Sequence, residues 1–304
     1  MTAINDARRG RNRKKWIPYL LILPSVLLIA SFKLYPILNT LLLSFRDLSL
    51  LKPGSGQFVW FQNYAKLLTK DAVFSKAFFN SITWVGWNIA VQALAGILIA
   101  VLINKPFRGR GLYRSVVFAP WAVSGILVSL MWGFMFNESV GVIGDLMIRL
   151  GIADSRISWF STASMSMTAI IIASSWRGLP FFVVNMMASL QSIPEEVYES
   201  GKIDGAGSVR SFWYITLPMI RDPLVLTILL RSIWTLNSAD LIYSMTNGGP
   251  NYGTTTVPVY IISTFQSTLD FSYTSTMSIL LCVFMVIVSM SFLKVTRYGK
   301  ESLY

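Results

Sequence analysis

The fold is decided by a polar segment between two long apolar stretches, QSIPEEVYESGKIDGAGSVRSFWYITLPMIRD (residues 191–222). Ser192 to Glu195 have the pattern of a capping box with proline in the first turn, which predicts a helix start. A short charged helix fits Glu195 to Ile203. Gly205-Ala-Gly207 should then break this helix, because glycine favours the conformations that end helices.

A second short helix fits the residues after this break. It covers Ser208 to Ile215 and should end at Leu217-Pro218, before the next apolar stretch. Two short helices joined by a glycine turn form a compact knob, which is our name for residues 191–222. Such a knob is suited to a groove on a partner protein. The alternative is a solvated connector between two membrane spans.

Outward from the knob, six apolar segments are long enough to cross a bilayer as helices. Their approximate bounds are 16–45, 82–103, 116–136, 167–190, 224–243 and 277–293. The first has a basic start like a secretory signal, but no clear small-x-small cleavage site follows it. The sequence therefore predicts an all-α, polytopic membrane protein with six transmembrane helices.

Composition supports this class and excludes others. Of 304 residues, 54% are hydrophobic and only 13% are charged, too few charges to cover a soluble fold. The chain has no histidine and one cysteine, Cys282, which excludes histidine triads, histidine metal sites, internal disulfides and Cys-cluster zinc sites. The net charge of +12 comes from short basic runs between apolar segments, an arrangement typical of membrane orientation and not of nucleic-acid binding.

The distribution of basic residues predicts the orientation. Of the 26 lysines and arginines, 16 lie in the two terminal tails and in the loops 104–115 and 191–223, whereas seven lie in the intervening loops. The basic side marks the cytoplasm, so both termini should be cytoplasmic. The external loops, near 46–80, 137–166 and 244–275, are long enough for short helices at the membrane surface.

The knob also carries a recognisable spacing. Glu199-Ser-Gly201, Gly205 and Ile215-Thr-Leu-Pro218 match the EAA motif, E-A-A-x3-G-x9-I-x-L-P, at every interval. The chain thus resembles the permease subunits of bacterial ABC importers. It departs from the motif at Ser200 and Gly201, where the family pattern has alanines. Both residues are small, but Gly201 should weaken the helix.

Other segments resemble the carbohydrate-uptake branch of these permeases, so that the likeness covers nearly the whole chain. They are residues 58–64, 190–198, 202–206, 246–250 and 254–256. The Gly-Gly-Pro sequence at 248–250 is similar to that of the maltose and glycerol-phosphate transporter type, in which two different permeases pair. The resemblance implies a type I ABC importer permease fold in the bacterial inner membrane.

The resemblance also implies the partners and the coupling residues. It implies a heterodimer with a second permease, two cytoplasmic ATPase subunits that bind ATP and Mg, an extracytoplasmic sugar-binding protein, and no cofactor on this chain. ATP-driven closure of the ATPase pair would switch the path between outward and inward access. The implied coupling residues are Glu199, Ser200, Gly201, Asp204, Gly205, Ile215, Leu217 and Pro218. A non-sugar solute such as a glycerol-phosphate ester is the alternative cargo.

Charged residues inside the spans are candidates for a substrate path, because burying each one costs about 2.5–3.5 kcal/mol. Lys33 lies near the end of the uninterrupted part of the first span, which is interrupted by Lys33 and Pro36, and can extend its ammonium to the interface. Arg177 lies in the fourth span. In the fifth, Arg231, Trp234 and Ser238 share a helical face, with Asn237 beside them and Asp240 away from it. An aromatic ring with hydroxyl and amide groups suits a sugar, whereas the alternative role is polar contact between helices.

Other features carry less weight. The glycines of residues 248–255 have the spacing of a phosphate-binding loop but lack its lysine. Three tryptophans fit membrane-interface anchors: Trp16, Trp121 and Trp159. A stand-alone carrier or channel is one alternative, but such a protein would have no use for the EAA loop. A membrane-embedded enzyme is another, but the sequence has no histidine, no cysteine pair and no carboxylate cluster inside the predicted spans.

We divide the chain into a basic cytoplasmic tail (1–15), a first transmembrane helix with an external segment (16–72), a core of five helices (73–293) and a cytoplasmic C-terminal tail (294–304). The coupling loop, 191–223, lies within the core.

Overall fold

The computed structural model describes residues 18–104 and 107–298, and these ranges are mostly helical. The basic tail 1–15, Trp16, Lys105 and residues 299–304 lie outside them. The helices are α1 (Pro18–Ser44), α2 (Gln62–Lys70), α3 (Ala72–Asn104), α4 (Arg110–Phe118), α5 (Gly125–Met135), α6 (Val142–Arg149), α7 (Ala163–Gln191), α8 (Glu195–Ile203), α9 (Ser208–Met219), α10 (Arg221–Asn237), α11 (Asp240–Thr246), α12 (Val257–Thr268) and α13 (Phe271–Val295). A two-residue antiparallel pair, β1 (Arg46–Asp47) and β2 (Gln57–Phe58), follows α1.

The long helices account for the predicted spans. In the described ranges, α1, α3, α7 and α13 are each long and apolar enough to cross a membrane without interruption. Two bent pairs, α4 with α5 and α9 with α10, reach the same criterion together. Counting each pair as one span gives six, the number expected from the sequence. The three predicted external loops contain the short helices α2, α6 and α12.

The third span is not the straight helix predicted over residues 116–136. A 3-10 turn, Ala119–Ala122, follows α4, and the two parts of the span are bent by 102°. Pro120 lies in that turn, and Val123 is extended. Ser124 then caps α5, because its hydroxyl accepts the Leu127 N–H at 3.4 Å. Pro120 thus interrupts the first helix, and Ser124 starts a new one as its N-cap.

The fifth span is also broken, and it ends earlier than the predicted Tyr243. Helix α10 stops at Asn237, and Ser238 has an extended backbone with ψ of 117°. Helix α11 begins afresh at Asp240. The phase of α10 is therefore lost before Asp240, and the prediction that Asp240 points away from the Arg231 face is wrong.

The chain divides into two compact units. The first comprises the described part of Met1–Leu67 together with Thr264–Leu280. Here the Asn63 amide donates to the carbonyls of Ser44 (3.1 Å) and Arg46 (2.7 Å), which holds the end of α1 beside the β pair. The hydroxyl of Ser272 accepts the Leu48 N–H at 2.8 Å. The α1 side chains are mostly exposed, as expected for a helix that meets lipid or another subunit.

The second unit comprises Leu68–Ser263 together with the described part of Leu281–Tyr304. Its centre is the pairing of α3 with α7. Two buried apolar clusters flank this pairing: one contains Trp84 and Ile170, the other Ile103 and Met186. At Gly96 the α3 backbone lies directly on Phe182, which is fully buried. A small residue at this position permits the close approach of the two helices.

We expect Gly96→Ala to destabilise the protein by about 1–3 kcal/mol through overpacking. An added Cβ would lie 2.5 Å from the Cβ of Phe182, which cannot move without its backbone. Thermal unfolding of the purified protein in detergent measures the effect. Gly86→Ala is the matched control, because it lies on the same helix and an added Cβ there meets nothing within 4 Å. Equal melting temperatures for the two variants would contradict the packing account.

Candidate functional site

The first half of the knob forms as the sequence predicted. Helix α8 spans Glu195–Ile203 and ends in a Schellman motif, in which a residue with positive φ follows the last turn. That residue is Gly205, with φ of +76°. Its N–H donates to the Lys202 carbonyl at 3.0 Å, and the Ala206 N–H donates to the Gly201 carbonyl at 2.9 Å. The chain therefore turns sharply at Gly205.

The two halves of the EAA motif touch each other. A Cβ at Gly201 would lie 2.6 Å from Cδ1 of Ile215, so the absence of a side chain lets α8 and α9 pack closely. The hydroxyls of Tyr198 and Thr216 are 3.1 Å apart and link the same two helices. Gly201 and Ile215 thus share one structural role, namely fixing the angle between the helices of the knob.

Two details of the knob differ from the prediction. No capping box forms at Ser192, because α7 runs to Gln191 and the Ser192 hydroxyl donates to the Ser189 carbonyl at 2.8 Å. Pro194 is the N-cap of α8. The second helix does not end at Leu217-Pro218 but continues to Met219. A π-helical turn, Phe212–Thr216, precedes Pro218 and places it at the first positions of the next turn, where its missing N–H is tolerated.

The outer surface of the knob combines apolar and charged side chains. Ile203 is 87% exposed and Val209 is 74% exposed, on either side of the glycine turn. Five of the implied coupling residues are also exposed: Glu199, Ser200, Asp204, Gly205 and Pro218. Leu217 is half-buried. Exposed apolar side chains on a charged element are typical of a protein contact surface.

A polar cavity of about 220 Å³ lies among α7, α10, α11 and the 3-10 turn before α5. Four of the predicted path residues line it: Arg177, Arg231, Trp234 and Ser238. The cavity is also lined by Trp121, Ser174, Thr235, Asp240 and Leu241. Of these, Asp240 and Trp121 are additions that alter the chemistry of the site.

An ion pair borders the cavity. Nη1 of Arg177 donates to Oδ2 of Asp240 at 2.7 Å, and the Ser238 hydroxyl donates to Oδ1 of the same carboxylate at 2.5 Å. Both oxygens of Asp240 are thus engaged. The backbone of α5 comes close to this pair at Gly125, where a Cβ would overlap the carboxylate.

Arg231 approaches the cavity from α10 and contacts a different set of groups. Its Nε donates to Oε1 of Gln92 at 2.8 Å, and Gln92 in turn donates to Asn88 at 3.3 Å. Gln92 and Asn88 are fully buried. The guanidinium lies against α7 at Gly178, where a Cβ would overlap it. Neither amide was predicted as a site residue, although a polar pair at i, i+4 in an apolar span was a usable signal.

Two tryptophans, Trp121 and Trp234, line the cavity, and Phe181 packs near both. The Trp234 ring centroid is 4.9 Å from that of Phe181, which is 6.4 Å from that of Trp121. Trp234 is 49% exposed and Trp121 is 56% exposed. Trp121, which the sequence suggested as an interface anchor, lies on the 3-10 turn beside the polar groups. Trp159, the other described candidate, packs on Phe136 at 4.8 Å between ring centroids.

Asn237 does not line this cavity. Its amide donates to the Ile233 carbonyl at 2.8 Å and lies 3.2 Å from the sulfur of Met285 on α13. The side chain is exposed on another face of α10. The structure thus separates Asn237 from Trp234 and Ser238.

The glycine-rich loop before α12 is rigidly bonded. The Thr255 hydroxyl donates to the Gly248 carbonyl at 2.9 Å, and Thr254 donates to Gly249 at 2.8 Å. These threonines are buried, so their hydroxyls are not available to a phosphate. The rejection of a phosphate-binding loop therefore agrees with the geometry.

Comparison with known proteins yields a family and close relatives. Residues 92–297 match the family described as "Binding-protein-dependent transport system inner membrane component". The chain is 31% identical over 300 residues to the trehalose/maltose transport system permease protein MalF of Thermococcus litoralis, covering 98% of this chain and 99% of that protein. It is 30% identical over 278 residues to the sulfoquinovosyl glycerol transport system permease protein SmoG of Agrobacterium fabrum, covering 91% and 89%.

A third relative is the lactose transport system permease protein LacF of Rhizobium radiobacter, 31% identical over 277 residues, covering 89% of this chain and 91% of LacF. Among solved structures, a chain of a bacterial ABC transporter involved in the import of the acidic polysaccharide alginate superposes with a TM-score of 0.82. That match has 20% sequence identity and covers 97% of this chain and 100% of the other. It bears out the overall fold.

Proposed function

This chain belongs to the family of binding-protein-dependent transport system inner membrane components, and on that premise we propose that it is the membrane-spanning subunit of an ATP-driven sugar importer. Its own part is to form the translocation path and not to hydrolyse ATP. The observation that carries the proposal is the knob, whose close-packed EAA helices expose apolar side chains beside the glycine turn.

The names of the relatives support a sugar as cargo. Each of the three that we compare over most of its length is named as a permease for a saccharide or a glycosyl glycerol. The cavity agrees with such a cargo, since aromatic rings offer a stacking surface and Arg231 and Ser238 offer polar groups. The names of the relatives favour a sugar over a glycerol-phosphate ester.

Coupling to ATP hydrolysis would occur at the knob. Ile203 and Val209 would enter a cleft on a cytoplasmic ATPase subunit, and Glu199 and Asp204 would lie at the rim of the contact. Two such subunits would bind ATP and Mg, while this chain would bind no cofactor. Since α9 leads directly into α10 with a bend of 66°, a movement of the knob would be passed to the helix that carries Arg231 and Trp234.

A second, different permease would complete the path. Trp121 and Trp234 leave about half of their surface uncovered, which suits a cavity that another subunit closes. An extracytoplasmic sugar-binding protein would deliver the cargo, and the dependence on a binding protein in the family description supports such a partner. No contact with nucleic acid is proposed, since the basic residues cluster at the ends of apolar spans.

We predict that reporter fusions at Arg110, Gly205 and Gly299 give a cytoplasmic signal and that fusions near Ser55, Ile152 and Asn251 give an external one. The basis is the sixteen-to-seven split of basic residues between the two sides. Gly299 lies outside the described residues, so its fusion rests on the charge distribution alone. A cytoplasmic signal from the Asn251 fusion would contradict the six-span orientation.

Purification of the tagged chain from its own host separates an importer from a stand-alone carrier. An importer subunit should bring an ATPase and a second permease with it in mild detergent, in stoichiometric amounts. A carrier should purify alone and transport sugar without ATP. Isolation of the chain alone, with full uptake activity, would contradict the proposed function.

A further inference from the structure

The cavity beside Trp234 holds an unbalanced positive charge. Two guanidinium groups, those of Arg177 and Arg231, meet a single carboxylate, that of Asp240. Asp240 is fully engaged by Arg177 and Ser238. In the described part of the chain, Arg231 forms no ion pair of its own: its hydrogen bond goes to the neutral Gln92, and it shares the field of Asp240 with the closer Arg177. The site therefore carries one excess positive charge.

A guanidinium without a carboxylate of its own is costly in this position unless a ligand supplies the negative charge. A charged group in a membrane span usually faces a partner or a water-filled cavity, and like charges side by side repel each other. Arg231 is held in place by Gln92 and by the bare backbone at Gly178. A neutral side chain could bond to Gln92 equally well, so polar contact between helices does not explain an arginine here.

We propose that this cavity binds an anionic group carried by the transported sugar, with the Arg231 guanidinium as its principal partner. The proposal rests on the proposed sugar-import function and names the substrate class of the same site. Arginine has five N–H donors in a planar arrangement suited to carboxylate, sulfonate or phosphate, and one of them is engaged by Gln92. Trp234 would stack on the sugar ring beside this group.

Isothermal titration calorimetry on the assembled importer in lipid nanodiscs tests the proposal, with the binding protein omitted. The probes are galacturonate and its neutral methyl ester, and galactose 6-sulfate and neutral galactose. Each anionic sugar should bind about ten-fold more tightly than its neutral counterpart, the gain expected of one charge-assisted hydrogen bond. Comparing the two anions shows whether a carboxylate or a sulfate is preferred.

Variants assign the preference to Arg231. Arg231→Gln should abolish it, and Arg231→Lys should keep part of it, because lysine retains the charge without the planar donors. Arg149→Gln is the matched control: it removes the same charge at the exposed end of α6 and should leave the preference intact.

Three results would overturn the proposal: equal affinity for charged and neutral sugars, no binding of either anion, or an unchanged preference in Arg231→Gln. Equal affinity is also the result expected if a carboxylate of the second permease neutralises Arg231. None of these results tests the import function itself. That function would be contradicted by a different result, namely that no ATPase co-purifies with the chain.

Discussion

Sugar uptake is expected to fall to near background in Gly205→Asp, with membrane insertion unchanged. Gly205 has φ of +76° at the end of α8, a conformation that costs most other residues about 1–2 kcal/mol. An added Cβ meets nothing within 4 Å, so steric overlap inside this chain is not the cause. The damage should come mainly from a new carboxylate at the ATPase contact, where an unpaired charge is costly. Strain in the turn should contribute less, because aspartate, like asparagine, adopts positive φ more readily than most residues.

Matched variants separate these two causes. Gly205→Asn has nearly the same shape, no charge, and a side chain that tolerates positive φ, so it should retain much more uptake. Gly205→Ala measures the effect of backbone strain alone, and Gly207→Ala is its control. Gly207 has φ of −69° and equal space around it, so a Cβ there causes no such strain. Glu199→Lys should give a milder loss, because it reverses one charge at the rim. A Gly205→Asp chain that inserts, keeps its ATPase and transports normally would remove the docking role from the knob.

Trp234→Ala is expected to slow sugar uptake about five-fold or more, while complex assembly and basal ATP hydrolysis persist. The ring borders the cavity with half of its surface open, so truncation removes a stacking surface worth about 1 kcal/mol without emptying a buried core. Initial rates in proteoliposomes with ATP inside, over a range of sugar concentrations, measure the change.

Asn237→Ala is the control for Trp234→Ala. It lies three residues further along the same helix, but its side chain contacts Ile233 and Met285 and not the cavity. From the sequence alone we expected both residues to touch the sugar, whereas the structure predicts near-normal uptake for Asn237→Ala. Equal slowing in both variants would restore the path role of Asn237, and normal uptake in both would make Trp234 a packing residue.

The knob was predictable because its structure is local. Glycine at 205 ends α8 through a conformation that glycine adopts readily, and the bounds Glu195–Ile203 follow. The missed detail, the absent capping box at Ser192, depends on α7 extending to Gln191. A short pattern cannot show where the preceding helix ends when that helix is stabilised by packing.

The cavity was predictable only in part, because it depends on breaks in helices. The assumption of a continuous fifth helix correctly groups Arg231, Trp234 and Ser238. Arg231 and Trp234 lie within α10, and Ser238 directly follows its last residue. It misplaces Asp240, whose position is set by the extended Ser238 and by the ion pair to Arg177. Trp121 was missed for the same reason, because it lies on the turn that interrupts the third span.

Site-specific crosslinking shows whether the knob docks on an ATPase subunit. Cys282, the single cysteine, is exposed and is replaced by serine. A new cysteine at Val209, which is 74% exposed at the tip of the knob, then carries a photoreactive benzophenone. Illumination of native membranes should join this chain to an ATPase subunit, and the yield should change when ATP binds. The same label at Val140, 56% exposed on the predicted external side, should give no such product. A transport-competent Val209 variant that never crosslinks to an ATPase would contradict the account.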